Sequence, residues 1–125
     1  MKKNKVLYIT EDVNEGWQDF LSYSIDDFAT VEVCNTENYK KRMLRTAFDL
    51  IFVDMVTIAE PETLIQNIRI LFPDRRIIVT TAIPNWIDAR NVLVAGAIDC
   101  ITQTYDENVL INQIKPQFHK LVPCA

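Results

Sequence analysis

Leu50-Ile51-Phe52-Val53-Asp54 is a run of four large apolar residues closed by an acid. An unbroken apolar run of this length reads as a strand buried on both faces, as in a parallel sheet covered by helices. The pattern recurs on either side. Val6-Leu7-Tyr8-Ile9 closes in Thr10-Glu11-Asp12, and Ile77-Ile78-Val79 closes in Thr80-Thr81. The carboxyl ends of parallel strands line one crevice, where such sheets bind ligands. Asp54, the Glu11/Asp12 acids and a threonine are therefore expected to converge on one small polar pocket. Carboxylates beside hydroxyls suit a hard divalent cation and a phosphoryl group.

Working outward, apolar runs alternate with amphipathic stretches along the whole chain. The predicted strands are Val6–Ile9, Thr30–Cys34, Leu50–Val53, Ile77–Thr80 and Asp99–Thr102. The predicted helices are Asn14–Tyr23, Glu37–Thr46, Pro61–Leu71, Trp86–Ala95 and Glu107–Leu121. Five βα units in succession predict an α/β fold, a doubly wound parallel sheet with helices on both faces. Asn35-Thr36 and Pro84-Asn85 are suited to start helices, since Asn and Thr cap. Pro61 fits a first helical turn, where its missing N–H costs nothing. Pro116 falls inside the last helical pattern and is expected to kink or split it. Gly16 and Gly96 are the only glycines, so neither common glycine-rich phosphate loop is present.

The 125 residues suffice for one domain with a real core, here taken as residues 1–125. Apolar residues make up 49% and charged residues 24%, ordinary values for a globular protein. A net charge of -4 gives no reason to expect direct binding to nucleic acid or an anionic membrane surface. No apolar run approaches the roughly 20 residues of a membrane span. The basic start, Met1-Lys2-Lys3-Asn4-Lys5, is followed by too short an apolar stretch for a signal peptide. A cytoplasmic location is expected. Cys34, Cys100 and Cys124 are scattered, with no CxxC, and read as free thiols. The lone His119 reads as an exposed helical residue. Trp17 and Trp86 read as packing residues, and Lys40-Lys41-Arg42 with Arg45 as a solvated helix face.

Taken in order, these segments resemble a receiver domain of a two-component response regulator, over essentially the whole chain. Val6–Ile9 with Thr10-Glu11-Asp12 resembles the first strand and its acidic end. Phe48-Asp49-Leu50-Ile51-Phe52-Val53-Asp54 resembles the phosphoacceptor strand. Val79-Thr80-Thr81-Ala82 resembles the switch-threonine segment, and Gly96-Ala97-Ile98-Asp99-Cys100-Ile101-Thr102-Gln103 the segment that ends in the family's lysine. The resemblance implies a flavodoxin-like (βα)5 sheet of order 2-1-3-4-5. It also implies a non-enzymatic signalling role. Asp54 would accept a phosphoryl group from a histidine kinase or phosphotransfer protein, and Thr81 and the residue at Gln103 would bind phosphoryl oxygens. Glu11, Asp54 and the backbone carbonyl of Val56 would hold Mg²⁺ or Mn²⁺ weakly, with Thr10 at most supporting a coordinated water. A homodimer or an output partner would use the face of Trp86–Ala95, Cys100–Thr102 and Glu107–Leu121.

Several residues depart from the family pattern. Thr10 stands at the first of two acids, Gln103 at the lysine and Cys100 at the switch aromatic, and the Pro/Gly loop after the acceptor is missing. A register shift of one would instead make Glu11/Asp12 the acid pair. Losing one acid and one lysine leaves the pocket charge balanced, so phosphorylation survives the count. Switching is expected to be weak, because Gln103 carries no charge and Cys100 cannot act as an aromatic lever. Val56 and Ile83 are expected to flank and shield any acyl phosphate. The competing reading is a pseudo-receiver that binds partners independently of phosphate. A flavin module would want a Ser/Thr/Gly phosphate loop where Glu11, Asp12 and Glu15 stand. A haloacid-dehalogenase phosphatase would want Asp where Val56 stands.

Overall fold

The computed structural model describes residues 3–14 and 16–119. β1 (Asn4–Ile9), α1 (Trp17–Ser24), β2 (Ala29–Cys34), α2 (Tyr39–Arg45), β3 (Leu50–Asp54), α3 (Pro61–Leu71), β4 (Ile77–Thr81), α4 (Trp86–Ala95), β5 (Asp99–Thr102) and α5 (Glu107–Ile114) follow in strict alternation. The strands lie in the order β2-β1-β3-β4-β5, all neighbours parallel. This is the predicted doubly wound sheet. The register sets Ile9 beside Val53 and Asp54 beside Thr80, so the strand ends arrive together at one edge.

The buried runs work by alternation. On one face Leu7, Ile9, Ile51, Val53, Ile77 and Val79 meet Tyr39 and Met43 of α2, Ile65 and Ile68 of α3, and Val92 of α4. On the other, Val6, Tyr8, Leu50, Phe52, Ile78 and Ile101 meet Trp17 and Leu21 of α1 and Leu110 and Ile114 of α5. Both sets are buried because adjacent side chains of a strand point to opposite faces and each face carries helices.

Three helix ends differ from expectation by two residues or more, each for a local reason. α1 begins at Trp17, not Asn14, because Gly16 adopts φ 146°, a backbone state that glycine tolerates and helices exclude. α2 begins at Tyr39, because the Asn35 side chain accepts the N–H groups of Glu37 and Asn38 in a turn ahead of the helix. α5 stops at Ile114, and Pro116 carries the chain into a 3₁₀ turn, Lys115–Phe118. The expected end at Leu121, and Cys124, lie outside the described residues. Asn85 caps α4 as expected, accepting from Ile87 and Asp88, and Pro61 opens α3. Cys34 is buried and Cys100 partly so, both as free thiols. Among the described residues no helix is long and apolar enough to cross a membrane.

Two measurements check this packing. Phe52→Ala, at the centre of the buried sheet, is expected to cost about 3–5 kcal/mol in chemical denaturation. Leu44→Ala, on an exposed site, is expected to stay within about 0.5 kcal/mol. Burial first, and Glu32 next, push the Cys34 thiol up to about 12 against the opposing pull of Arg42. The unfolded thiol ionises at about 8.5, so the stability that rests on neutral Cys34 is whole below that pH. It should fall as pH rises toward 12. Cys34→Ala is expected to flatten that alkaline limb.

Candidate functional site

Asp54 closes the central strand and is only 4% exposed. A buried carboxylate requires donors on its oxygens, and four are supplied. Oδ1 accepts from the backbone N–H of Val56 at 3.0 Å and from Gln103 Nε2 at 3.0 Å. Oδ2 accepts from the hydroxyls of Thr10 at 2.8 Å and Thr57 at 3.1 Å. The two hydroxyl oxygens also lie 3.0 Å apart. Each has one proton and also accepts a backbone N–H, Thr10 from Asp12 and Thr57 from Glu11. With both protons free to choose, the carboxylate charge draws both.

A second layer stands behind Gln103. Its amide also lies 3.2 Å from Thr80 Oγ1 and 3.3 Å from the Tyr8 hydroxyl, which are themselves 3.0 Å apart. Burial chiefly, and the Asp54 charge next, hold the Tyr8 phenol far above its usual range, with the Thr80 and Gln103 bonds pulling the other way. Tyr8 thus stays neutral, accepting from Gln103 and sharing a hydrogen bond with Thr80. It packs against Trp17, whose indole N–H reaches the Thr104 carbonyl at 2.7 Å.

The structure brings Asp54, Thr10 and Gln103 together and leaves other expected residues outside. Glu11 is exposed, and its carboxylate accepts the Thr36 N–H at 3.0 Å. Thr81 donates to the Ile83 carbonyl at 3.2 Å, and the inward threonine is its neighbour Thr80. Val56 meets Asp54 through its N–H. The side chains of Val56 and Ile83 are 54% and 77% exposed, so Asp54 owes its cover to hydroxyls and not to these apolar flanks. Thr57 and Tyr8 add to the expected set, and Thr80 is the threonine of the Thr80-Thr81 pair that enters the pocket. Two cues were present: a hydroxyl three residues past the acid, and a phenol in a core strand, which needs a partner when buried.

A magnesium or manganese ion fits these residues poorly. Such ions take several oxygens, including one or two carboxylates. Here Oδ2 already takes two protons and the Glu11 carboxylate is engaged by Thr36. Among the described residues no three His, Cys, Asp or Glu side chains gather closely enough to hold a metal ion. Of the expected set of Glu11, Asp54 and the Val56 carbonyl, the two carboxylates each accept hydrogen bonds from the protein itself.

No family model matches the sequence, and no curated protein matches it. Solved structures do. A response regulator from Thermotoga maritima shares 25% identity at a TM-score of 0.82, over 95% of this chain and 100% of that one. The chain has the fold of a response-regulator receiver domain. A two-component response regulator from Clostridium difficile superposes at TM-score 0.79 with 20% identity, over 94% of this chain and 98% of that one. An orphan response regulator of H. pylori gives 0.77 with 17% identity, over 92% and 96%. In this receiver fold, Asp54 stands at the carboxyl end of β3, in the crevice where the strand ends meet.

Cutting the acid back tests the donor set. Asp54→Ala leaves buried donors unpaired and is expected to destabilise by about 1–3 kcal/mol. Asp54→Asn is expected to cost less, because the Thr10 and Thr57 hydroxyls can turn to accept from its amide. Urea melts of the two variants compare these outcomes.

Proposed function

We propose that this receiver-fold chain is a signalling module that acts by protein–protein contact and presents its binding face independently of phosphate. The observation that carries the reading is the Asp54 carboxylate, whose oxygens are all engaged by neutral donors from the protein itself. Phosphoryl transfer needs an oxygen free to attack, and groups placed to stabilise the charge that develops. Thr81 is turned to Ile83, and Gln103 offers dipoles where a lysine would offer charge. Cys100 is too small to swing between buried and exposed positions as an aromatic would.

The contact face is the one formed by α4, β5 and α5. α4 buries only Val92, while Trp86 and Val94 are 72% and 83% exposed. Ile87, Leu93 and Val109 are also exposed. Arg90 lies over the Trp86 ring at 5.6 Å, holding that aromatic in place at the surface. Large apolar side chains exposed on a helix suit a second copy of the chain or an output protein.

The second reading keeps Asp54 as an acceptor for a histidine kinase or phosphotransfer protein. Its support is position: Asp54 ends the central strand in the ligand crevice. Intact mass after incubation with Mg²⁺ and a small acyl phosphate separates the two. No mass gain is expected; one phosphoryl group, absent from Asp54→Asn, would restore the acceptor reading. Trp86→Ala with Val94→Asp is expected to weaken self-association or partner binding at least about tenfold, some 1.4 kcal/mol. Asp54→Asn should leave that binding unchanged when followed by sedimentation or calorimetry.

A further inference from the structure

We infer that Thr57 closes the Asp54 site against cations, its hydroxyl and that of Thr10 supplying to Oδ2 what a metal ion would supply. Gln103, backed by Thr80 and Tyr8, serves Oδ1 in place of a buried ammonium. The inference deepens the phosphate-independent reading and rests on it in one respect, that Asp54 works as a fixed anion.

Oδ2 faces two hydroxyls, and each hydroxyl is fed from behind by a backbone N–H, at 3.1 Å for Thr10 and 3.0 Å for Thr57. Each therefore forms a chain, N–H to O–H to carboxylate, in which one bond polarises the next. Both chains end on one oxygen. A cation approaching Oδ2 meets the hydroxyl protons first and must turn both away.

The backbone holds Thr57 there. Met55 donates its N–H to the Thr80 carbonyl at 2.9 Å, and Ile58 donates to the Asp54 carbonyl at 3.1 Å. This draws residues 55–57 into a tight turn around the acid. The same turn aims the Val56 N–H at Oδ1. Among the described residues, the ion pairs are Lys3 with Asp26 and Arg42 with Glu32, both elsewhere. The Asp54 charge is thus met by dipoles alone. Those dipoles come from the end of β1, the turn after β3 and the residue after β5, so the carboxylate ties the three together. Thr57 is a positioning residue in this arrangement.

Manganese titration tests the inference, read as paramagnetic broadening of amide signals around Asp54. The wild type is expected to show no broadening that disappears in Asp54→Asn. Thr57→Ala combined with Thr10→Asp removes one hydroxyl and returns an acid, and should bind Mn²⁺ at least tenfold more tightly. Thr57→Ser should behave as wild type. In the unsubstituted protein, the Thr10 and Thr57 hydroxyl protons should be visible in slow exchange, which keeps the test open if the double variant fails to fold. Asp54-dependent broadening in the wild type would overturn the inference. So would a folded double variant as inert as the wild type, or hydroxyl protons in fast exchange. Broadening without phosphoryl uptake would sink this inference alone, whereas phosphoryl uptake would sink the phosphate-independent reading.

Discussion

A carboxylate buried at the end of a central strand has to be met by donors, and the crevice of this protein is arranged around that requirement. Both oxygens of Asp54 are met, Oδ2 by hydroxyls and Oδ1 by amides. The donors come from segments far apart in sequence, so one side chain fastens the ends of β1, β3 and β5. Hydrogen bonds to a charged acceptor are the strong kind, and stronger still in a medium of low dielectric.

Below this polar edge the sheet is ordinary. Its two faces bury alternate residues of the same strands, and helices cover both. The unusual element is α4. It touches the core through Val92 and turns Trp86 and Val94 outward. A helix whose apolar residues exceed what the core can take has surface to offer a partner. An Asp54 bound by its own chain and an apolar α4 both suit the phosphate-independent contact proposed above.

The order of elements was legible because period alone distinguishes buried strands from amphipathic helices. Pro61–Leu71 and Trp86–Ala95 stand where their patterns put them. Helix ends were less legible, because a single residue moves them. Gly16 delays α1 through its positive φ, Asn35 holds a turn ahead of α2, and Pro116 ends α5 early. Asp54 itself could be picked from sequence, since an acid that ends a buried run has to lie at the sheet's edge.

By itself, then, the sequence determined the parallel sheet, the helices on both faces and the acid at the heart of the crevice, because these follow from spacing along the chain. Tertiary structure decided which neighbours that acid keeps. The turn after β3 puts Thr57 against the acid, while the Glu11 carboxylate is turned to the Thr36 N–H. Thr80 and Thr81 are adjacent, and the pleat of β4 sends the first inward to Tyr8 and the second outward to Ile83. Side-chain direction depends on strand register and turn shape, which only packing of the whole chain sets. The neighbours of Asp54 follow from those directions.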